Sequence, residues 1–202
     1  MKPIVRDIIE RTALAALTGS LAWRIGSAIL QGGESWVSAL VLVGEVLLLF
    51  FVVFARPASD GSTSTREWLI AFAGTAAPLL ATPGGTPLLP VNVIAVIFLV
   101  GIVLQVSTKL NLNRSFGIVP ANRGVVTTGF YSVVRHPVYA SYFIGHVAFL
   151  LVNPTPWNAC IYAIEFGFQI ARMHAEEGLL SRDPAYAAYM RRVRYRLAPG
   201  VY

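Results

Sequence analysis

Apolar residues run along this chain in long blocks separated by short polar breaks, so block length rather than alternation is the leading signal. Six blocks stand out, at 8–30, 35–54, 68–82, 91–110, 138–152 and 157–173. A helix needs roughly 20 apolar residues to cross the hydrocarbon core of a bilayer, and the blocks reach or approach that length, the third and fifth being shortest. The predicted architecture is therefore all-α: a multi-pass transmembrane helical bundle of about six spans. A shorter helix is predicted behind the last block, where Asp183 precedes Pro184 as an N-cap before a favoured first helical residue. It should run to about Tyr195, with Tyr186, Tyr189, Met190 and Val193 on its apolar face, and serve as a peripheral anchor or as a lid.

Composition agrees. Of 202 residues, 55% are hydrophobic and 13% charged, with mean hydropathy +0.63, whereas soluble domains carry about 25% charged residues. The one cysteine, Cys160, lies inside a block and excludes an internal disulfide. The first block carries Arg11 and Arg24 and ends in no small-residue cleavage site, so no cleavable leader is expected.

Charge placement predicts orientation, because Lys and Arg in short loops mark the cytoplasmic side. Lys2, Arg6 and Arg11 flank or open the first block; Arg56 and Arg66 follow the second; Lys109, Arg114, Arg123 and Arg135 lie between the fourth and fifth. Arg172, Arg182, Arg191, Arg192, Arg194 and Arg196 end or follow the sixth, while the connections at 31–34, 83–90 and 153–156 hold neither Lys nor Arg. Both termini and the C-terminal helix are thus expected in the cytoplasm (N-in/C-in), in the inner membrane of the cell. The net charge of +6 suits anionic leaflet lipids and calls for no nucleic acid.

The chain reads as a single membrane domain, 1–202, with 1–110 as scaffold and 111–202 as the chemical half. The polar stretch 55–67, rich in Ser, Thr and Gly, is predicted to be a mobile loop. The longest inter-block loop, 111–128, is of a length that usually carries function.

Polar residues inside the blocks sharpen the search, since ionisable groups there are costly and face a bundle interior or a wet cavity. Arg24 and Glu45 could pair across adjacent helices, either structurally or for substrate or proton handling. Glu165, Gln169, Arg172 and Glu176 are spaced four, three and four and share one helix face. Such a stripe either lines a cavity or bonds neighbouring helices. At Arg135-His136-Pro137 the proline should open a helix, leaving the amides of Val138 and Tyr139 at its positive end as an anion site. Tyr139, Tyr142 or Phe143, and His146 then form an aromatic wall. Three histidines and one cysteine stand at no ligand spacing, so no metal is expected.

Four ordered motifs carry a resemblance: Asn113-Arg-Ser-Phe-Gly; Val126-Thr-Thr-Gly-Phe-Tyr-Ser-Val-Val-Arg-His-Pro-Val-Tyr139; Arg172-x-x-x-Glu176-Glu177-x-x-Leu180; and Tyr195-Arg-Leu-Ala-Pro-Gly200. Residues 114–202 resemble the isoprenylcysteine carboxyl methyltransferase and phospholipid methyltransferase group of integral-membrane enzymes. The resemblance implies S-adenosylmethionine bound by Val125, Val126, Tyr131, His136, Pro137, Val138, Tyr139 and Glu176, with His136 and Arg172 as catalytic candidates and Arg172 facing the substrate. The match is weaker across 111–124, where Gly117-Ile-Val-Pro-Ala-Asn-Arg-Gly124 is this chain's own, and no contact is carried over from Arg123 or Gly124. The implied acceptor is a lipophilic small molecule or membrane lipid, methylated on a carboxylate, at a site facing the cytoplasm. Phospholipid N-methylation and thiol S-methylation are alternatives. Membrane sterol reductases, which use NADPH, share an Arg-His-Pro region, but here Val138 precedes the tyrosine and Ala140-Ser141 follow it, away from their pattern.

Overall fold

The computed structural model describes residues 3–30, 46, 49–51 and 53–201. Within them the chain is mostly helical. The first block becomes α1, Pro3–Leu30, and the third becomes α2, Thr65–Ala76, continued by one 3-10 turn, Ala77–Leu80. The fourth, fifth and sixth become α3, Val91–Leu112, α4, Pro137–Val152, and α5, Pro156–Leu180. The tail helix α6 spans Pro184–Arg192. Most of the second block, with Glu45 and the proposed partnership with Arg24, lies outside the described residues.

Among the described residues, one helix, Val91–Ser115, is long and apolar enough to cross a membrane, and Pro137–Val152 is a shorter apolar helix. The sidedness of α3 explains why it suits lipid. Val96, Val100, Val103 and Leu110 are exposed, whereas Thr108 and Lys109 are buried. Water would penalise that apolar outer face, and a hydrocarbon solvent favours it. α3 packs along α4, where Gly101 allows a close approach: a Cβ there would lie 3.1 Å from the Gly145 nitrogen.

Four of the helix starts have a local cause. Ser64 accepts from Glu67 N–H to open α2, Thr155 accepts from Asn158 N–H to open α5, and Asp183 accepts from Ala185 N–H to open α6. Pro137, Pro156 and Pro184 take first-turn positions that need no N–H.

The loop predicted to be mobile is instead paired. Strand β1, Asp60–Gly61, runs antiparallel to β2, Ala121–Asn122. Ser59 and Ser62 donate their N–H groups to Asn122 and Pro120 carbonyls at 2.9 Å, which meets the bonding demand of backbone that would otherwise be left without partners. The tail helix also differs from expectation. It stops at Arg192, because Val193 is extended and the carbonyls of 193–196 bond to Arg135 and His136 instead, and its apolar face is turned inward: Tyr186, Tyr189 and the following Val193 are buried in the protein core rather than presented to lipid.

Candidate functional site

The end of α5 and the start of α4 meet at a hollow with about 450 Å³ of empty space, part of it open to solvent. Its lining is Leu112, Ser115, Phe116, Gly117, Tyr131, Arg135, His136, Val138, Tyr139, Tyr142, Arg172 and Glu176. Six of the residues singled out in the sequence, Tyr131, His136, Val138, Tyr139, Arg172 and Glu176, are brought together here. Val125, Val126 and Pro137 are not among the lining residues; the two valines pack against the apolar core and Pro137 is buried in the first turn of α4.

Why α5 delivers its groups to one place follows from its period. Four-, three- and four-residue steps return to one face, and the stripe is linked along its length. Gln169 Nε2 donates to Glu165 Oε1 at 2.6 Å, and Arg172 Nη1 donates to Gln169 Oε1 at 2.9 Å. His146 Nδ1 lies 3.1 Å from Glu165 Oε2, tying α4 to the same stripe. Arg172, 4% exposed, donates Nη2 to the Ile118 carbonyl at 3.0 Å, and its guanidinium carbon stands 5.4 Å from the Tyr139 ring centre. Its Nε is buried with no hydrogen-bond partner. A buried donor left open costs about 1–3 kcal/mol, so Arg172, one of the lining residues, keeps an unmet demand for an acceptor. Glu176 meets Tyr139, whose hydroxyl donates to Oε2 at 3.1 Å.

The aromatic wall is a ladder of edge and stacked contacts: His136 to Tyr139, Tyr139 to Tyr142, and Tyr142 to His146, at centroid spacings of 5.5, 6.3 and 6.5 Å. Tyr142 takes the place left open between it and Phe143, which turns outward to Phe166.

Glu177, the neighbour of Glu176 in the Arg172 motif, is the most heavily bonded carboxylate of this region. Oε1 takes Arg135 Nε at 2.6 Å and His136 Nε2 at 3.0 Å, and Oε2 takes Arg196 Nε and Nη2 at 3.0 and 2.9 Å. Burial alone would raise its pKa; hydrogen bonds from His136, Arg135 and Arg196 outweigh that and hold it well below the usual carboxylate range. An ionised carboxylate only accepts, so the His136 proton facing it sits on Nε2. The same region straps the tail down: Arg135 and His136 N–H groups donate to the Tyr195 and Arg196 carbonyls at 2.9 and 2.8 Å, and Arg135 Nη1 reaches the Val193 and Arg194 carbonyls. Tyr131 lies beneath α6, its carbonyl accepting from the Tyr189 hydroxyl at 2.7 Å. Burial, then the Glu176 charge, pushes the Tyr131 phenol well above its ordinary value, leaving a neutral O–H.

Among the described residues no cluster of His, Cys, Asp or Glu could hold a metal ion. Residues 88–182, just under half of the chain, match the model of the isoprenylcysteine carboxyl methyltransferase (ICMT) family. This stretch belongs to the isoprenylcysteine carboxyl methyltransferase-like family. The ICMT-like region contains α3, α4, α5 and every lining residue of the hollow. It leaves outside α1, α2 and the tail with Arg196. Membership points to a membrane methyltransferase. No curated protein matches the chain.

Proposed function

We propose that this chain is a multi-pass membrane enzyme that transfers a methyl group from S-adenosylmethionine to a lipophilic acceptor, with a carboxylate as the reacting group. The observation that carries the reading is one hollow that combines a carboxylate, aromatic faces and a buried arginine with an open donor. Its lining fits a cationic cofactor: Tyr131 and Tyr139 offer π faces, and Glu176 keeps Oε1 for amino or hydroxyl groups. S-adenosylmethionine supplies an electrophilic methyl on a sulfonium. Arg172 holds the acceptor, its guanidinium fork matching a carboxylate in two-point geometry. The Arg172 charge also disfavours a protonated amine in the same place, which sets carboxylate above amine as acceptor. His136, bonded through Nε2 to Glu177, keeps the first turn of α4 in position beneath the hollow. Because Val138 and Tyr139 stand in that turn, their amides have no partner within the helix. Once cofactor and acceptor displace water from the hollow, opposite charges that neutralise during transfer need little beyond placement, and placement alone is worth about 7–11 kcal/mol in well-oriented pairs.

In this reading about six crossings leave both termini and the hollow on the cytoplasmic face, with the acceptor entering from the bilayer. The test is binding of S-adenosylmethionine against NADPH to detergent-purified protein, followed by transfer of labelled methyl into a lipid extract. Binding of S-adenosylmethionine and label in an alkali-labile ester are expected. Selective NADPH binding would overturn the reading, and alkali-stable label would move the acceptor to nitrogen or sulfur. Glu176→Ala should weaken S-adenosylmethionine binding about tenfold, the loss expected for one charged hydrogen bond.

A further inference from the structure

Helix α1 lies outside the ICMT-like region, yet it supplies a buried carboxylate to the loop above the hollow. Glu10 is 4% exposed. Its Oε1 accepts the N–H groups of Ile118 and Val119 at 2.8 and 3.0 Å, and its Oε2 takes Arg123 Nη2 at 2.9 Å. The Val119 N–H and the Ile118 carbonyl belong to one peptide group, and that carbonyl is the acceptor of Arg172 Nη2. In a planar trans peptide the N–H and C=O point to opposite edges. One amide plane is therefore gripped by a carboxylate on one edge and a guanidinium on the other. Both bonds are charge-assisted and polarise the amide in the same sense, so each strengthens the other in a low-dielectric setting. The neighbouring Gly117 lines the hollow, and a Cβ there would run into the Arg123 guanidinium. A side chain at 117 would therefore have to displace the Arg123 guanidinium.

We propose that Glu10 is a positioning residue for the methyl acceptor: by holding the 118–119 peptide it fixes the carbonyl that aims the Arg172 fork into the hollow. The proposal rests on the reading of Arg172 as the acceptor-binding group. Glu176 and Tyr139 are positioned by contacts between α4 and α5, so the cofactor side of the hollow does not depend on Glu10. The expected signature is a split between the two substrates.

The experiment uses the full chain in detergent with N-acetyl-S-farnesylcysteine as acceptor probe. Glu10→Ala should raise the acceptor KM about tenfold, as for a lost charge-assisted contact, with S-adenosylmethionine affinity held within about twofold. Glu10→Gln retains an oxygen for both amides and should stay within about threefold of the parent KM. Amide hydrogen exchange at residues 116–119 should quicken in Glu10→Ala. An unchanged acceptor KM, a matching loss of cofactor affinity, or a Gln variant as impaired as Ala would each overturn the proposal. If Glu10→Ala does not accumulate, Glu10→Asp, one methylene shorter, replaces it with the same expected split. Should the parent protein transfer no methyl to the probe, the functional reading fails on its own, and the exchange arm decides for Glu10: unaltered exchange at Ile118 and Val119 would overturn its positioning role.

Discussion

The two ends of the helix bundle are knotted by different chemistry. At one end Asn158, fully buried, donates Nδ2 to the Thr82 and Asn153 carbonyls at 2.8 Å and accepts the Thr82 N–H at 3.0 Å; Asn153 accepts the Gly84 N–H, and Trp157 Nε1 reaches the Leu80 carbonyl. Every group in that knot is neutral. At the other end Glu10 and Glu177 gather Arg123, Arg135, His136 and Arg196, partners up to 113 positions away in the chain. Neutral amides fix geometry with little response to pH or salt. A charged knot costs desolvation and is sensitive to both, but it leaves strong fields where a charged cofactor and an anionic acceptor are to be bound. The hollow sits at the charged end.

The largest effect should come from breaking that knot. Glu177→Ala leaves Arg135 and His136 buried without their carboxylate and frees Arg196, and loss of one partner from a buried ion pair costs about 3–5 kcal/mol. A thermal shift assay in detergent should show a strongly lowered midpoint or no folded protein. A midpoint unchanged from the parent would mean that the charged end is not what holds the tail.

What could be read from residues alone divides along the same line. Periodicity was sufficient to put Glu165, Gln169, Arg172 and Glu176 on one face, since a helix repeats every 3.6 residues. Proline and aspartate chemistry marked the starts of α4 and α6. Glu177 escaped because it is about 100° around the helix from Glu176 and meets a tail whose approach no local pattern encodes. Glu10 escaped for a related reason: its partners lie beyond three intervening blocks, and a single acid in an apolar stretch carries no sign of where it will be met. The pairing of 60–61 with 121–122 is hidden likewise, as polar Ser/Gly composition signals a break in the helix pattern and says nothing of what the loop will touch. Val125 and Val126, which motif position implies for the cofactor, are half-buried against the core and are not among the residues lining the hollow.

Acid should separate the two ends next. The Glu177 carboxyl is depressed in the folded protein, so its contribution is complete above the unfolded pKa of about 4.3 and is lost as pH falls toward the lower folded value. The midpoint should fall steadily below about pH 5 in the parent and in Asn158→Ala, which keeps the charged knot. In Glu177→Gln, if it folds, that slope should flatten. Equal slopes in all three would remove Glu177 as the acid-sensitive element.

At the neutral end, Asn158→Ala removes a side chain that makes three hydrogen bonds to Thr82 and Asn153, and the buried carbonyls and amide it leaves open should cost about 1–3 kcal/mol. Calorimetric affinity for S-adenosylmethionine should be unchanged, because the knot shares no residue with the hollow. A lowered affinity would show that the ends are coupled through the helices.

The smallest effect tests the hollow itself. Tyr139→Phe keeps the ring beneath the Arg172 guanidinium, where the contact is to the π face, and deletes only the hydroxyl that donates to Glu176 Oε2. A net hydrogen bond to a charged group is worth about 1.5–3 kcal/mol, and water from the open side of the hollow should recover part of it. Stability should therefore change by less than about 1 kcal/mol, with a threefold to tenfold loss of cofactor affinity, roughly, as Glu176 gains freedom to turn away. Tyr139→Leu, which removes the ring as well, should lose more, and the difference between the variants measures what the aromatic face contributes. If Phe and Leu behave alike, the ring is packing and the cation rests on Glu176 alone.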